Sequence, residues 1–130
     1  MKQGLLVVAV LVAGGGLFLL DIMTPRGVAS GVLYTAVVAM ALASPSRIFP
    51  VVVAVSCSIL TELGAFLSPS IPGVPMWVSM SNRFLSVIVI WVPVVFFLQR
   101  RQAEAALQRA NEALERRVQA RTKDLAEINQ

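Results

Sequence analysis

Histidine is absent from this 130-residue chain, and with it the commonest metal ligand and general base. A single cysteine, Cys57, excludes an intrachain disulfide framework. Charge is scarce. Charged residues make up 14% of the chain against 57% hydrophobic, and the mean hydropathy is +0.78, outside the range of a soluble domain. Residues 99–130 contain neither glycine nor proline, so nothing there breaks a helix.

The scarcity is uneven. Most of the charge lies after Leu98 and most of the apolar content before it. The chain therefore reads as a membrane domain, residues 1–98, followed by a water-soluble stalk, residues 99–130. Half of the net charge of +4 comes from the stalk, where arginines are interleaved with Glu and Asp, and it needs no nucleic-acid partner to explain it.

A hydrocarbon core of about 30 Å takes roughly 20 helical residues. Four apolar stretches fit: 4–22, 26–43, 48–67 and 77–98. The first follows Lys2, as a signal peptide would, but no small-x-small cleavage site comes after Leu20, so a retained helix is expected. Pro25, the turn Ser44-Pro45-Ser46-Arg47, and the Pro- and Ser-rich residues 68–75 separate the spans. Trp77 suits the interface at the start of the fourth, and Pro93 inside it predicts a kink or an unpaired carbonyl. Lys2, Arg47, Arg100 and Arg101 fall on one side of this arrangement, with Arg26 as the basic loop residue opposite. The positive side is cytoplasmic, which places both termini in the cytoplasm.

Five polar residues then share the outer half: Asp21, Arg26, Glu62, Asn82 and Arg83. A charge at the membrane centre costs about 2.5–3.5 kcal/mol on insertion scales, so such groups should face inward and pair. Glu62 and Arg83 come out at similar depth and form the expected pair, with Asn82 and Asp21 completing the network. Ser30 and Tyr34, four apart, add hydroxyls to the same cavity. One expectation is an outward-opening pocket that receives a small molecule, an ion or a proton; the competing one is an ion pair that only fixes packing.

Weaker patterns point to packing. Gly27-x-x-x-Gly31 and the glycines at 14–16 suit close helix approach. Met23, Met76 and Met80 with Cys57 lack the tight spacing of a soft-metal site. Asp21 and Glu62 have no nucleophile to serve, and no phosphate-cradling loop is present. No catalytic residue, metal or cofactor is expected.

The stalk carries a heptad. Leu107, Leu114, Arg121 and Ile128 fall at d, and Glu104, Asn111, Val118 and Leu125 at a. Such a seam needs a partner helix, and a lone Asn at a favours a two-stranded parallel coiled coil. Glu104 and Arg121 weaken it, as suits a helix that transmits.

Within it, residues 110–125 read ANEALERRVQARTKDL. The pattern Asn-Glu-x-Leu-Glu-x-Arg-Val-x-x-Arg-Thr-x-x-Leu, from Asn111 to Leu125, closely resembles the linker helix between membrane input segments and cytoplasmic output domains in bacterial sensor histidine kinases. It covers about an eighth of the chain. Similar linkers precede PAS domains and diguanylate cyclases. Asn82-Arg83 and the Gly- and Tyr-bearing second helix are more loosely similar to input domains of some sensor kinases.

The resemblance implies an all-α module: a four-helix transmembrane bundle whose last helix continues into a cytoplasmic coiled coil of a homodimer. The phospho-accepting His and the nucleotide-binding motifs of a kinase are missing, and the sequence stops in mid-heptad, so an output domain and its response regulator are expected to belong to a longer parent. Pro93 and the seam residues Leu107, Asn111, Leu114, Val118, Arg121 and Leu125 would relay the signal. Rival classes are the input module of a diguanylate cyclase or other receptor, a structural membrane anchor and dimeriser, and a small transporter. The last would need a continuous polar path, yet the inner halves of the spans are apolar apart from Ser and Thr.

Overall fold

A computed structural model describes residues 2–25, 30–70 and 72–129, with the backbone alone for Lys2 and Ser30. Every regular element among them is helical. Helix α1 is Lys2–Met23, a 3-10 turn at Ser30–Leu33 leads into α2 at Tyr34–Ala41, α3 is Ile48–Leu67, and α4 is Met76–Ile128. The chain divides into two units, Met1–Phe97 and Leu98–Gln130.

Local chemistry sets the helix ends. Thr24 closes α1 by turning both its N–H and its hydroxyl onto the Leu20 carbonyl, at 3.0 and 2.7 Å, and Pro25 prevents continuation. After Ala41 the backbone tightens: Ala43 N–H donates to Met40 O and Ser44 N–H to Ala41 O, a 3-10 pattern that Pro45 brings to a stop. The Ser46 hydroxyl then accepts from the N–H groups of Ile48 and Phe49, serving two of the free donors that open α3. Pro50, in the first turn of α3, falls where its missing N–H costs nothing. At the far end Ser68 turns extended before Pro69.

Among the described residues, three helices are long and apolar enough to cross a membrane: α1, α3 and α4. Of the second expected span, 26–43, residues 30–41 are helical. Residues 26–29 lie outside the described region, and what is described from Ser30 to Ala41 is about 20 Å long at the usual helical rises, short of the hydrocarbon thickness. The Ser44-Pro45 turn closes it, as the sequence predicts.

The first unit is inverted relative to a soluble protein. Leu5 is 73% exposed and Phe84 68%, whereas Asp21 is buried and so, nearly, is Arg83. Apolar side chains outside and charges inside are what a hydrocarbon solvent selects; the chain is a membrane protein. The core is built from helical stripes. Val10, Gly14 and Asp21 face inward from α1, and Tyr34, Val37, Val38 and Ala41 from α2. Pro50, Val53, Ala54, Cys57, Thr61 and Gly64 do so from α3, and Arg83, Ser86, Ile90 and Val94 from α4. Steps of three, four and seven keep each stripe on one face.

The second unit is helix alone. Its i,i+4 ion pairs, Arg100–Glu104 at 2.9 Å and Glu112–Arg116 at 3.7 Å, are solvent-exposed and contribute a few tenths of a kcal/mol each, about 0.3–0.5. Leu107, Leu114, Val118, Leu125 and Ile128 are 57–78% exposed, so no described residue covers the seam.

Candidate functional site

Three helices meet at a charged junction near the ends of α1 and α3 and the start of α4. Arg83 grips Asp21 with both arms of its guanidinium: Nη1 donates to Oδ2 at 2.9 Å and Nη2 to Oδ1 at 3.2 Å. This planar fork-on-carboxylate geometry is the strongest polar contact the side chain can make. Nη1 also donates to the backbone carbonyl of Thr61. Asp21 is fixed from its other side, where the Ser68 hydroxyl donates to its backbone carbonyl at 2.8 Å. One carboxylate and one guanidinium thus tie α1, α3 and α4 together.

The expected partner was Glu62, and this is corrected. Arg83 pairs with Asp21, and no described cation pairs with Glu62, which is exposed. Depth along the membrane was matched, but helical phase was not. Thr61 belongs to the inward stripe of α3, and one residue further on a helix turns by about 100°, which carries Glu62 off that face.

Glycines make the junction possible. A Cβ on Gly64 would overlap the Asp21 carboxylate, with Cγ at 2.9 Å, and would lie 3.1 Å from Arg83 Nη1. A Cβ on Gly31 would sit 2.7 Å from Ser86 Cβ and 3.0 Å from Thr61 Cγ2, so α2 enters the bundle only because this residue has no side chain. Gly31 is thus a close-approach site; Gly27, its expected companion, and Arg26 lie outside the described residues. The glycines at 14–16 are not of this kind: a Cβ on Gly14 would reach Val37 at an ordinary 3.9 Å, and those on Gly15 and Gly16 would meet nothing.

The other expected residues surround the junction. Tyr34 is fully buried, within electrostatic reach of Asp21, Arg83 and Cys57, and its hydroxyl has no hydrogen-bond partner among the described residues. The Ser30 side chain is not described. Asn82 is half-buried, and its backbone carbonyl accepts from the Ser86 hydroxyl at 2.8 Å. About two turns beyond Arg83 along α4, Trp91 Nε1 donates to Ser58 Oγ at 3.2 Å, a second polar link between α4 and α3. Pro93 lies within α4 without ending it, and the Val89 carbonyl lacks its usual i+4 donor. The seam residues Leu107, Asn111, Leu114, Val118, Arg121 and Leu125 are all exposed on the second unit.

Beside the junction opens a cavity of about 460 Å³. Phe66, Met76, Met80 and Phe84 form apolar walls, Glu62 supplies a carboxylate, and Arg83 contributes one edge. Both members of the expected Glu62–Arg83 pair therefore border one space without bonding to each other. Thr61, Gly64, Ser68 and Ser86 were not singled out from the sequence. For the first three the signal was the run of small and hydroxyl-bearing residues at 57, 61 and 64 on one face of α3, with Ser68 just past its end.

No protein-family model, curated protein or solved structure matches this chain.

Proposed function

We propose that this chain is the transmembrane signal-input module of a bacterial two-component sensor histidine kinase, a homodimer in the inner membrane. The observation that carries the proposal is the position of Arg83. It joins α1 and α3 at a buried ionic junction, borders an open cavity, and sits on the helix whose sequence continues into the kinase-type linker. A ligand that perturbs the junction changes the packing of α4, and α4 is the element that leaves the membrane domain.

In this account α2 completes a four-helix bundle, both termini are cytoplasmic, and the exposed seam from Leu107 to Leu125 pairs with a second copy as a parallel coiled coil. The signal acts as a population shift between two packings. Residues at the junction bias the equilibrium, Pro93 provides a compliant point, and the imperfect seam, with Asn111 at a and Arg121 at d, keeps the two states close in energy. The output domain and response regulator belong to a longer parent, and the linker fits a diguanylate cyclase parent by the same logic.

A second reading has an observation of its own. The Asp21–Arg83 pair is bidentate and buried, as in a pair that serves packing alone. The test is the chain fused to a known kinase output, with wild type compared with Glu62→Gln, Asp21→Asn and Arg83→Gln at matched membrane levels. Output locked on or off, with stalk crosslinking unchanged, supports sensing. Normal regulation in all three leaves a structural anchor.

A further inference from the structure

The cavity beside Arg83 has a definite chemical character. Its volume, about 460 Å³, lies in the range of about 300–1,000 Å³ usual for small-molecule sites. Its walls are aromatic and thioether: Phe66, Phe84, Met76 and Met80. Its charge follows from the junction. The Asp21 carboxylate neutralises Arg83, which leaves Glu62 as the uncompensated charge among the described residues that line the space. Glu62 stands five residues before the end of α3, about 7.5 Å along the helix axis, where an ionised carboxylate facing hydrocarbon is costly without a counter-charge. Phenylalanine faces attract cations, and a carboxylate among aromatic and apolar walls favours positive charge spread over an apolar body.

We infer that this cavity binds a lipophilic organic cation, a quaternary ammonium or phosphonium with apolar arms. The charged centre lies against Glu62 and the rings of Phe66 and Phe84, while the arms fill the space between Met76 and Met80. A ligand seated there touches Arg83 from the cavity side and so reaches the junction itself. The inference rests on the signal-input reading for its consequence, but its test does not.

The probe is tetraphenylphosphonium, with the near-isosteric tetraphenylborate as the opposite charge. Saturable binding is measured by equilibrium dialysis to the full chain in phosphatidylglycerol nanodiscs, with empty nanodiscs subtracted. The expected result is saturable phosphonium binding that weakens by about tenfold in Glu62→Gln, survives in Glu62→Asp, and falls in Phe84→Leu, while the borate does not saturate. Glu62 is exposed and outside the junction, so its variants should fold; retained thermal stability checks this. Borate binding as tight as phosphonium, or phosphonium binding indifferent to Glu62→Gln, overturns the inference. Phosphonium binding that does not saturate above that of empty nanodiscs also overturns it. Failure here with regulation still dependent on Asp21 and Arg83 removes the ligand class and leaves the signal-input reading intact.

Discussion

Arg83 and Asp21 are two charges in a membrane domain that has few. Removing one partner leaves the other buried without this counter-charge, a loss of about 3–5 kcal/mol in buried pairs. We expect Asp21→Asn and Arg83→Gln each to lower unfolding stability by that order in detergent denaturation. The double change Asp21→Leu with Arg83→Met should recover most of it, because the desolvation cost disappears with the charges. Gly64 makes a sharper prediction. Gly64→Ala drives a methyl into the Asp21 carboxylate and should destabilise by about 2 kcal/mol or more, as overpacking does. Gly15→Ala meets no atom and should be neutral or stabilising by up to about 1 kcal/mol, the helix-propensity gain. Thermal shifts of the two variants side by side decide it; equal effects contradict the packing described.

At the scale of the helices, run length and punctuation were enough to place α1, α3 and α4, since each break carries Pro beside Ser, Thr or Gly. For the second helix the Ser44-Pro45 turn marks the end, as its sequence suggests, and residues 26–29 lie outside the described region. The site was half legible. Its ionisable residues stand out in so apolar a chain, but their pairing depends on angular position, and the bet on Glu62 used depth alone. The stripe at 57, 61 and 64 held the missing phase information. No motif announces Gly64, whose role exists only because Asp21 arrives opposite it. In the stalk, Arg121 lies at d where an apolar residue would tighten the seam. Arg121→Leu should raise the dimer fraction of the full chain, read as energy transfer between labelled copies in micelles. Leu114→Ala should lower it. No change in either speaks against a coiled coil through this face.

For the whole molecule, the proposed function joins a buried ionic junction to a helix whose C-terminal sequence resembles a sensor-kinase linker. The junction needs no catalytic chemistry to act. In the function proposed, a second arrangement with Arg83 released from Asp21 and Thr61 would change how α4 meets α1 and α3, and a few kcal/mol between the two is enough for a switch. Packing and signalling are separable here because an apolar pair can replace the ionic one in volume and stability but not in its response to a ligand. The most direct measurement is therefore the Asp21→Leu/Arg83→Met double variant fused to a kinase output, assayed across stimulus conditions that regulate the wild-type fusion. The account predicts a folded, dimeric protein with fixed output. Wild-type regulation in that variant would contradict it, because the junction would then be a staple and the signal would enter elsewhere.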